Sequence, residues 1–233
     1  MDSKRQLTTL PDLSTSVEIR GTRAIYRVRT PNLLYQDRLL HMGFTRAKEA
    51  VFTRNLSNSG DIATIHRYFA SHLEEMLLQS ARLHPVHWEK TLELFLHRVD
   101  GTGLQWFLYG SAALAVRGID INPGDLDFWV DDAQLAGRIF CDLLVEPVTA
   151  MTGWVADYGG RAFAGCLFEW LANVHPEVDE PSPHEHGPAA RNSLESVTWC
   201  GWTVPVPPLA FQLAAAEHRG LIERATSIRA HLE

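Results

Sequence analysis

The stretch WFLYGSAALAVRGIDINPGDLDFWV, residues 106–130, sets two carboxylates, Asp125 and Asp127, at the start of an apolar run. On a strand, residues two apart share a face. Asp125 and Asp127 therefore point the same way, about 7 Å apart along the chain. Held ionised in a dry setting they repel, and something positive has to hold them together. A divalent cation does so, and magnesium suits hard carboxylate oxygens combined with substrate phosphates. The upstream half of the stretch complements this. Gly110 follows the apolar run and lets the backbone turn without a Cβ clash. Ser111 then opens a short helical segment, SAALAVRG, whose N-terminal end with its hydroxyl and N–H groups favours an anion. A phosphate at that bend could bridge to a cation held by the two aspartates.

Working outward, QWFLY and DLDFWV read as strands, with the NPG turn between them and Gly118 closing the helical segment. DDAQLAGRIFCDLL reads as an amphipathic helix capped by Asp131 or Asp132. TGWVADY and RAFAGCLFEWLANV read as two further strands around a Gly159–Gly160 turn. EVDEPSPHEHGPAARNS is a loop, VTWCGWTVPV a strand or hairpin, and two helices close the chain near 208–218 and 220–232. Upstream, Ile62, Ile65, Phe69, Leu73, Met76 and Leu77 recur at helical spacing behind an N-cap at Asp61. A second helix runs over 86–99. Before residue 60, VEIRGTRAIYRVR alternates around a turn at Gly21–Thr22, NLLYQDRLLHMGF is a short helix ending at Gly43, and EAVFTRNL is a returning strand. The expected fold is α+β: a mixed-sheet core flanked by helices over 84–233, preceded by a small β-rich module over 1–83.

Bulk properties narrow the function. The chain has 233 residues, 45% hydrophobic and 21% charged, which is an ordinary globular composition. No apolar run approaches the ~18 residues of a membrane span, and the start MDSKRQLTTLPDLSTS lacks the apolar segment of a secretory signal. Three scattered cysteines suggest neither a disulfide framework nor a zinc site, so a cytoplasmic setting is expected. The net charge of −7 is uneven: residues 1–60 carry ten Lys/Arg against five Asp/Glu, the rest eleven against twenty-three. A basic front could meet phosphate or an acidic partner. The acidic body favours a cationic acceptor.

The Tyr109-Gly110-Ser111 step, thirteen intervening residues, and Asp125-Leu126-Asp127-Phe128 together resemble the nucleotidyltransferase superfamily of the polymerase-β kind. The nearest flavour is the small bacterial antibiotic-modifying enzymes, on Gly110, Ser111, Ala113, Leu114 and Arg117 and on the tail WTVPVPPLAFQLAAAEHRG. The resemblance spans residues 86–233 in order of elements, and about twenty residues carry it. It implies a nucleoside triphosphate donor, ATP foremost, with Gly110 and Ser111 against its β/γ-phosphates and Arg117 meeting phosphate. It implies Asp125 and Asp127 holding magnesium, with a third carboxylate completing a two-metal site or accepting a proton. Glu169, alone among Leu167, Phe168, Trp170 and Leu171, is the candidate, and Asp157 the reserve.

The reaction so implied moves a nucleoside monophosphate to a hydroxyl and releases pyrophosphate. A small-molecule acceptor is the first expectation. Nucleotidylation of a protein or tRNA, docked through Arg20, Arg23, Arg27 and Arg29, is the second, and a catalytically silent nucleotide-binding protein the third. Homo-oligomer formation is left open. His175, His184 and His186 lie on a Pro-rich loop without the spacing of a zinc site, and a mobile lid or acceptor-facing loop is expected there. Trp170, Trp199 and Trp202 are expected in the core or in a groove wall.

Overall fold

The computed structural model describes residues 12–232. Most of the N-terminal stretch that was read for a signal segment lies outside them. Strands β1 (Ser14–Arg20) and β2 (Arg23–Arg29), helix α1 (Leu33–His41), strands β3 (Thr45–Lys48) and β4 (Val51–Ser57) and helix α2 (Ile62–Ser80) come first. They are followed by α3 (Trp88–Val99), β5 (Trp106–Tyr109), α4 (Gly110–Ala115), β6 (Leu126–Val130) and α5 (Ala133–Ile139). Then come β7 (Leu144–Ala150), β8 (Ala156–Phe163), β9 (Leu167–Val174), α6 (Pro188–Arg191), β10 (Glu195–Trp199), β11 (Trp202–Val206), α7 (Leu209–His218) and α8 (Ile222–Leu232).

The strands form a four-stranded sheet, β1-β2-β4-β3, a β10-β11 pair, and a five-stranded sheet, β5-β6-β9-β8-β7. The last is mixed, because β6 runs parallel to β9 while its other pairs are antiparallel. The chain is thus α+β with a mixed sheet and a β-rich front, as the pattern predicts. The β1–β2 hairpin turns at Gly21, whose φ of 58° a Cβ would strain.

One face of the five-stranded sheet packs against α3 and α5, with Phe95 of α3 stacked on Phe128 of β6 at 3.7 Å between ring centres. Alternation along β6 explains it: Leu126, Phe128 and Val130 enter this core, while Asp127 and Trp129 face the other way. The Asp61 and Asp132 side chains accept from backbone N–H groups of α2 and α5, each a cap contributing about 1 kcal/mol. Asp131 instead accepts from the Gln105 N–H. The front sheet and α2 share a second core with Val145 of β7 and Phe163 of β8, so the β-rich front and the mixed sheet pack directly together.

Three elements differ from the sequence pattern. Gly159 and Gly160 do not turn; they lie inside β8. A Cβ at Gly160 would run into the Trp170 indole of the neighbouring strand, and one at Gly159 into Met151. These glycines make room rather than bends. β7 was not anticipated, because its first five residues are all buried and give no alternation. α5 ends at Ile139, short of the pattern's Leu144, where the chain enters β7. Among the described residues no helix is long and apolar enough to cross a membrane.

Candidate active site

Register sets one side chain from each strand of the five-stranded sheet into a single row: Tyr109 on β5, Asp127 on β6, Glu169 on β9, Arg161 on β8 and Glu146 on β7. Cross-strand partners share a face, and neighbouring strands lie about 4.8 Å apart. Asp127 and Glu169, far apart in sequence, therefore become neighbours because β6 and β9 run parallel. The next row of the same face is Phe107, Trp129, Leu171, Gly159 and Thr149, so an apolar floor adjoins the charged row.

The row is split electrostatically. At its β5–β6 end the carboxylates are crowded. Burial, then the neighbouring Glu169, pushes the Asp125 carboxyl up to about 6 against the pull of Arg161, Arg82 and Arg224. Burial, then Asp125, Glu169 and Glu185, raises Asp127 well above the usual carboxylate range. Burial and the same acids raise the Tyr109 hydroxyl, which stays protonated. At the other end the charges cancel. Arg161 Nε donates to Glu169 at 2.6 Å, its Nη1 reaches Glu146 at 3.4 Å and the Met42 carbonyl at 2.7 Å, and Arg54 pairs with Glu146 at 2.7 Å. Burial alone would lower the Arg161 pKa, but the Glu169 and Glu146 charges outweigh it and raise it.

The Gly110 bend meets the acids closely. Gly110 has φ 71°, and a Cβ there would lie 2.6 Å from Asp127 Oδ2, so glycine is required on both counts. Its N–H is already engaged: it donates to Glu185 at 3.0 Å. The Gln212 amide of α7 donates to the Gly110 carbonyl at 3.1 Å and to Glu185 at 3.3 Å. The bend does hold an anion at its N–H, but it is a buried carboxylate of the same chain. Ser111, next along, lines a cleft of about 310 Å³ together with Asp125, Glu169, Arg82, Arg161 and Arg224. Gly124, just before Asp125, packs against the Arg82 guanidinium, which donates to the Pro123 carbonyl at 3.1 Å.

Of the residues singled out from sequence, Gly110, Ser111, Asp125, Asp127 and Glu169 come together. Arg117 does not: it pairs with Glu195 at 2.5 Å and donates to the Pro207 carbonyl at 2.8 Å, tying α4 to the β10–β11 hairpin. In this placement it acts as a clasp between α4 and the hairpin and stands apart from the aspartates. Asp157 also lies apart, exposed on β8 and paired with His175 at 2.9 Å. The histidine loop packs onto the Gly110 bend. Asp179 accepts from the His184 and Ala189 N–H groups, Glu185 is buried against Gly110, and the His186 ring sits 5.1 Å from that of Tyr109. Burial, then His184 and Arg219, holds His186 down to about 3, so its ring is neutral. Trp170 is fully buried, and Trp199 and Trp202 pack partly buried against the same core.

Nothing in the local pattern singles out Arg82, Arg161, Arg224, Glu146 or Glu185. Each is an isolated charge whose meaning comes from strands and helices far away in the chain.

Among the described residues no three His, Cys, Asp or Glu side chains converge closely enough to hold a metal ion. The cause lies in the row: Glu169 is turned onto Arg161, and the Asp127 carboxylate lies beside Gly110. The donor chemistry of Asp125 and Asp127 nonetheless fits a divalent cation. Both are oxygen donors whose protonation is favoured because burial and the neighbouring acids outweigh the arginines that reach them.

The sequence matches no protein-family profile and no curated relative. Solved structures do match. A provisionally assigned nucleotidyltransferase from Thermotoga maritima aligns at 19% identity and a TM-score of 0.47, over 64% of this chain and 98% of its own. The chain is similar in fold to solved nucleotidyltransferases. The antibiotic-resistance factor ANT(2″)-Ia, solved with adenylyl-2″-tobramycin, aligns at 14% identity and TM-score 0.43, over 62% of this chain and 88% of its own. A lincomycin-bound lincosamide antibiotic adenylyltransferase aligns at 11% and 0.40, over 60% and 96%.

Proposed function

We propose that this protein is a magnesium-dependent nucleotidyltransferase that moves a nucleoside monophosphate, from ATP foremost, to a hydroxyl of a small-molecule acceptor. The observation that carries it is the Asp125–Asp127 pair, still raised in pKa despite the nearby arginines, beside a cleft that Asp125 lines with Arg82, Arg161, Arg224 and Ser111. Carboxylates and guanidiniums converging on one cleft suit a ligand that is itself both cationic and anionic, as a metal–triphosphate is.

Asp125 and Asp127 would hold magnesium, which neutralises the triphosphate and stabilises the attacking and leaving oxygens of an in-line displacement. Arg82 and Arg224 meet the phosphate oxygens and orient the tail, and Ser111 bonds to it at the bend. The acceptor oxygen forms a bond to the α-phosphorus as the bond to the β-phosphate bridging oxygen breaks, and pyrophosphate leaves. The acceptor proton goes to Glu169, through the carboxylate oxygen that Arg161 does not engage. Tyr109, kept protonated, closes the row behind Asp127.

The test is pyrophosphate release from each of the four triphosphates with magnesium and the small-molecule fraction of a cell extract. Asp125→Asn and Asp127→Asn are each expected to lose about a thousandfold, the scale of several kcal/mol of lost charge stabilisation. Equal release by wild type and both variants would overturn the proposal.

A further inference from the structure

A second cavity, of about 530 Å³, lies between the front sheet and β7–β9. Thr45, Thr53 and Asn55 form one wall, and Met151, Trp154 and Leu171 form the other. His41, Arg161 and Glu169 line both this cavity and the cleft of Asp125, so the two spaces adjoin along these residues. Whatever occupies the second cavity abuts the end of the charged row at which an acceptor would have to arrive.

The cavity's charges are already spent on one another. Its two guanidiniums, Arg54 and Arg161, face its two carboxylates, Glu146 and Glu169, at 2.6 to 3.4 Å. His41, the remaining titratable group on its wall, faces Asp37 at 3.7 Å. A polycation would find no free carboxylate here, and a phosphate no free guanidinium, without breaking a largely buried pair. What is left on offer is uncharged: the Thr53 hydroxyl, the hydroxyl oxygens of Thr45 and Thr149, whose protons go to the Thr53 and Pro147 carbonyls, the Asn55 amide, the apolar Met151 and Leu171, and the Trp154 indole, 51% exposed. The volume falls within the range of drug-sized ligand sites.

We infer that this cavity is the acceptor site, walled by the β-rich front, and that it selects an uncharged, hydroxyl-bearing molecule with a flat or apolar face rather than a polycation. The inference rests on the nucleotidyl-transfer reading for its chemistry, but it specifies the acceptor by local charge balance. The acidic body of the chain predicts the opposite, a cationic acceptor. That net charge sits elsewhere, because each acid of this cavity has its own arginine.

The experiment measures binding of a panel of uncharged aryl glycosides, and of tobramycin as the polycationic probe, to the full chain by calorimetry, with magnesium–ATP binding measured in parallel. Trp154→Ala removes the exposed indole, and Asn55→Trp fills the cavity from an exposed strand position away from the aspartates. Members of the glycoside panel are expected to bind, each variant weakening them by about tenfold, the scale of one aromatic contact. Magnesium–ATP binding should stay unchanged in both variants. Tighter binding of tobramycin than of any glycoside, failure of every glycoside to bind, or glycoside binding untouched by both variants would overturn the inference. Loss of magnesium–ATP binding by wild type would instead overturn the nucleotidyl-transfer reading, since that signal does not depend on the second cavity.

Discussion

The two ends of the charged row obey opposite rules. At the β5–β6 end, Asp125 and Asp127 are crowded by burial, by each other and by Glu169 and Glu185, and hold protons more tightly than ordinary carboxylates. At the β8–β7 end, Glu169, Arg161, Glu146 and Arg54 neutralise one another without help. Both ends lie on one sheet face and are built from the same kinds of residue. An acid partnered by an arginine is neutralised within the fold, whereas one crowded by other acids relieves the repulsion by holding a proton.

The comparison breaks most sharply at Arg161. Arg161→Met should leave Glu169 and Glu146 without their shared partner and cost about 3–5 kcal/mol of stability, read by urea unfolding. A loss below 1 kcal/mol would mean that this end is not self-neutralised.

The acidic end should respond to pH in the reverse sense. Folded-state pKa values raised above the usual carboxylate range mean that the folded chain holds protons the unfolded chain releases. The stability contributed by Asp125 is therefore present below about pH 4 and lost as pH rises through about 6, and Asp127, raised well above the usual carboxylate range, acts in the same sense. Between pH 5 and 7.5 the wild type should lose about 1–2 kcal/mol relative to Asp127→Asn, in which the crowding is relieved. Adding magnesium at pH 7.5 should recover the loss in wild type and not in the variant. Parallel stability curves for the two proteins would refute the contrast.

The smallest effect should come from Arg117→Gln. That pair is half exposed on the glutamate side, so its removal should cost under about 1 kcal/mol and leave pyrophosphate release unchanged. A large drop in turnover with unaltered stability would return Arg117 to the site.

Legibility in the sequence followed distance along the chain. Gly110, Ser111, Asp125 and Asp127 sit within one short segment; alternation sets Asp127 on the face away from the Phe128 core, while Asp125 lies in the bend just before β6. Glu169 could be found because a charge between bulky apolar residues is conspicuous. Arg161 and Glu146 were invisible, since GGRAF and LVEPV show no pattern and only strand register makes them partners. Gly159–Gly160 misled because a glycine that makes room for Trp170 looks the same in sequence as one that turns. In the β-rich front, the β1–β2 hairpin was legible from its alternation, whereas β3, short and exposed throughout, gave no signal. Arg117 followed the motif spacing but points to the β10–β11 hairpin.

The parallel pairing of β6 with β9 has a bearing on how the molecule comes into being. Hairpins such as β7–β8 and β8–β9 close over a few residues, but β6 cannot meet β9 until α5, β7 and β8 have all been laid down between them. Contacts that distant carry a large ordering penalty and form slowly. During synthesis Asp127 thus emerges well before Glu169 and waits in water, unhindered. Its repulsion with Glu169 arises only at the closing step, so the most crowded part of the row is also the last to be assembled.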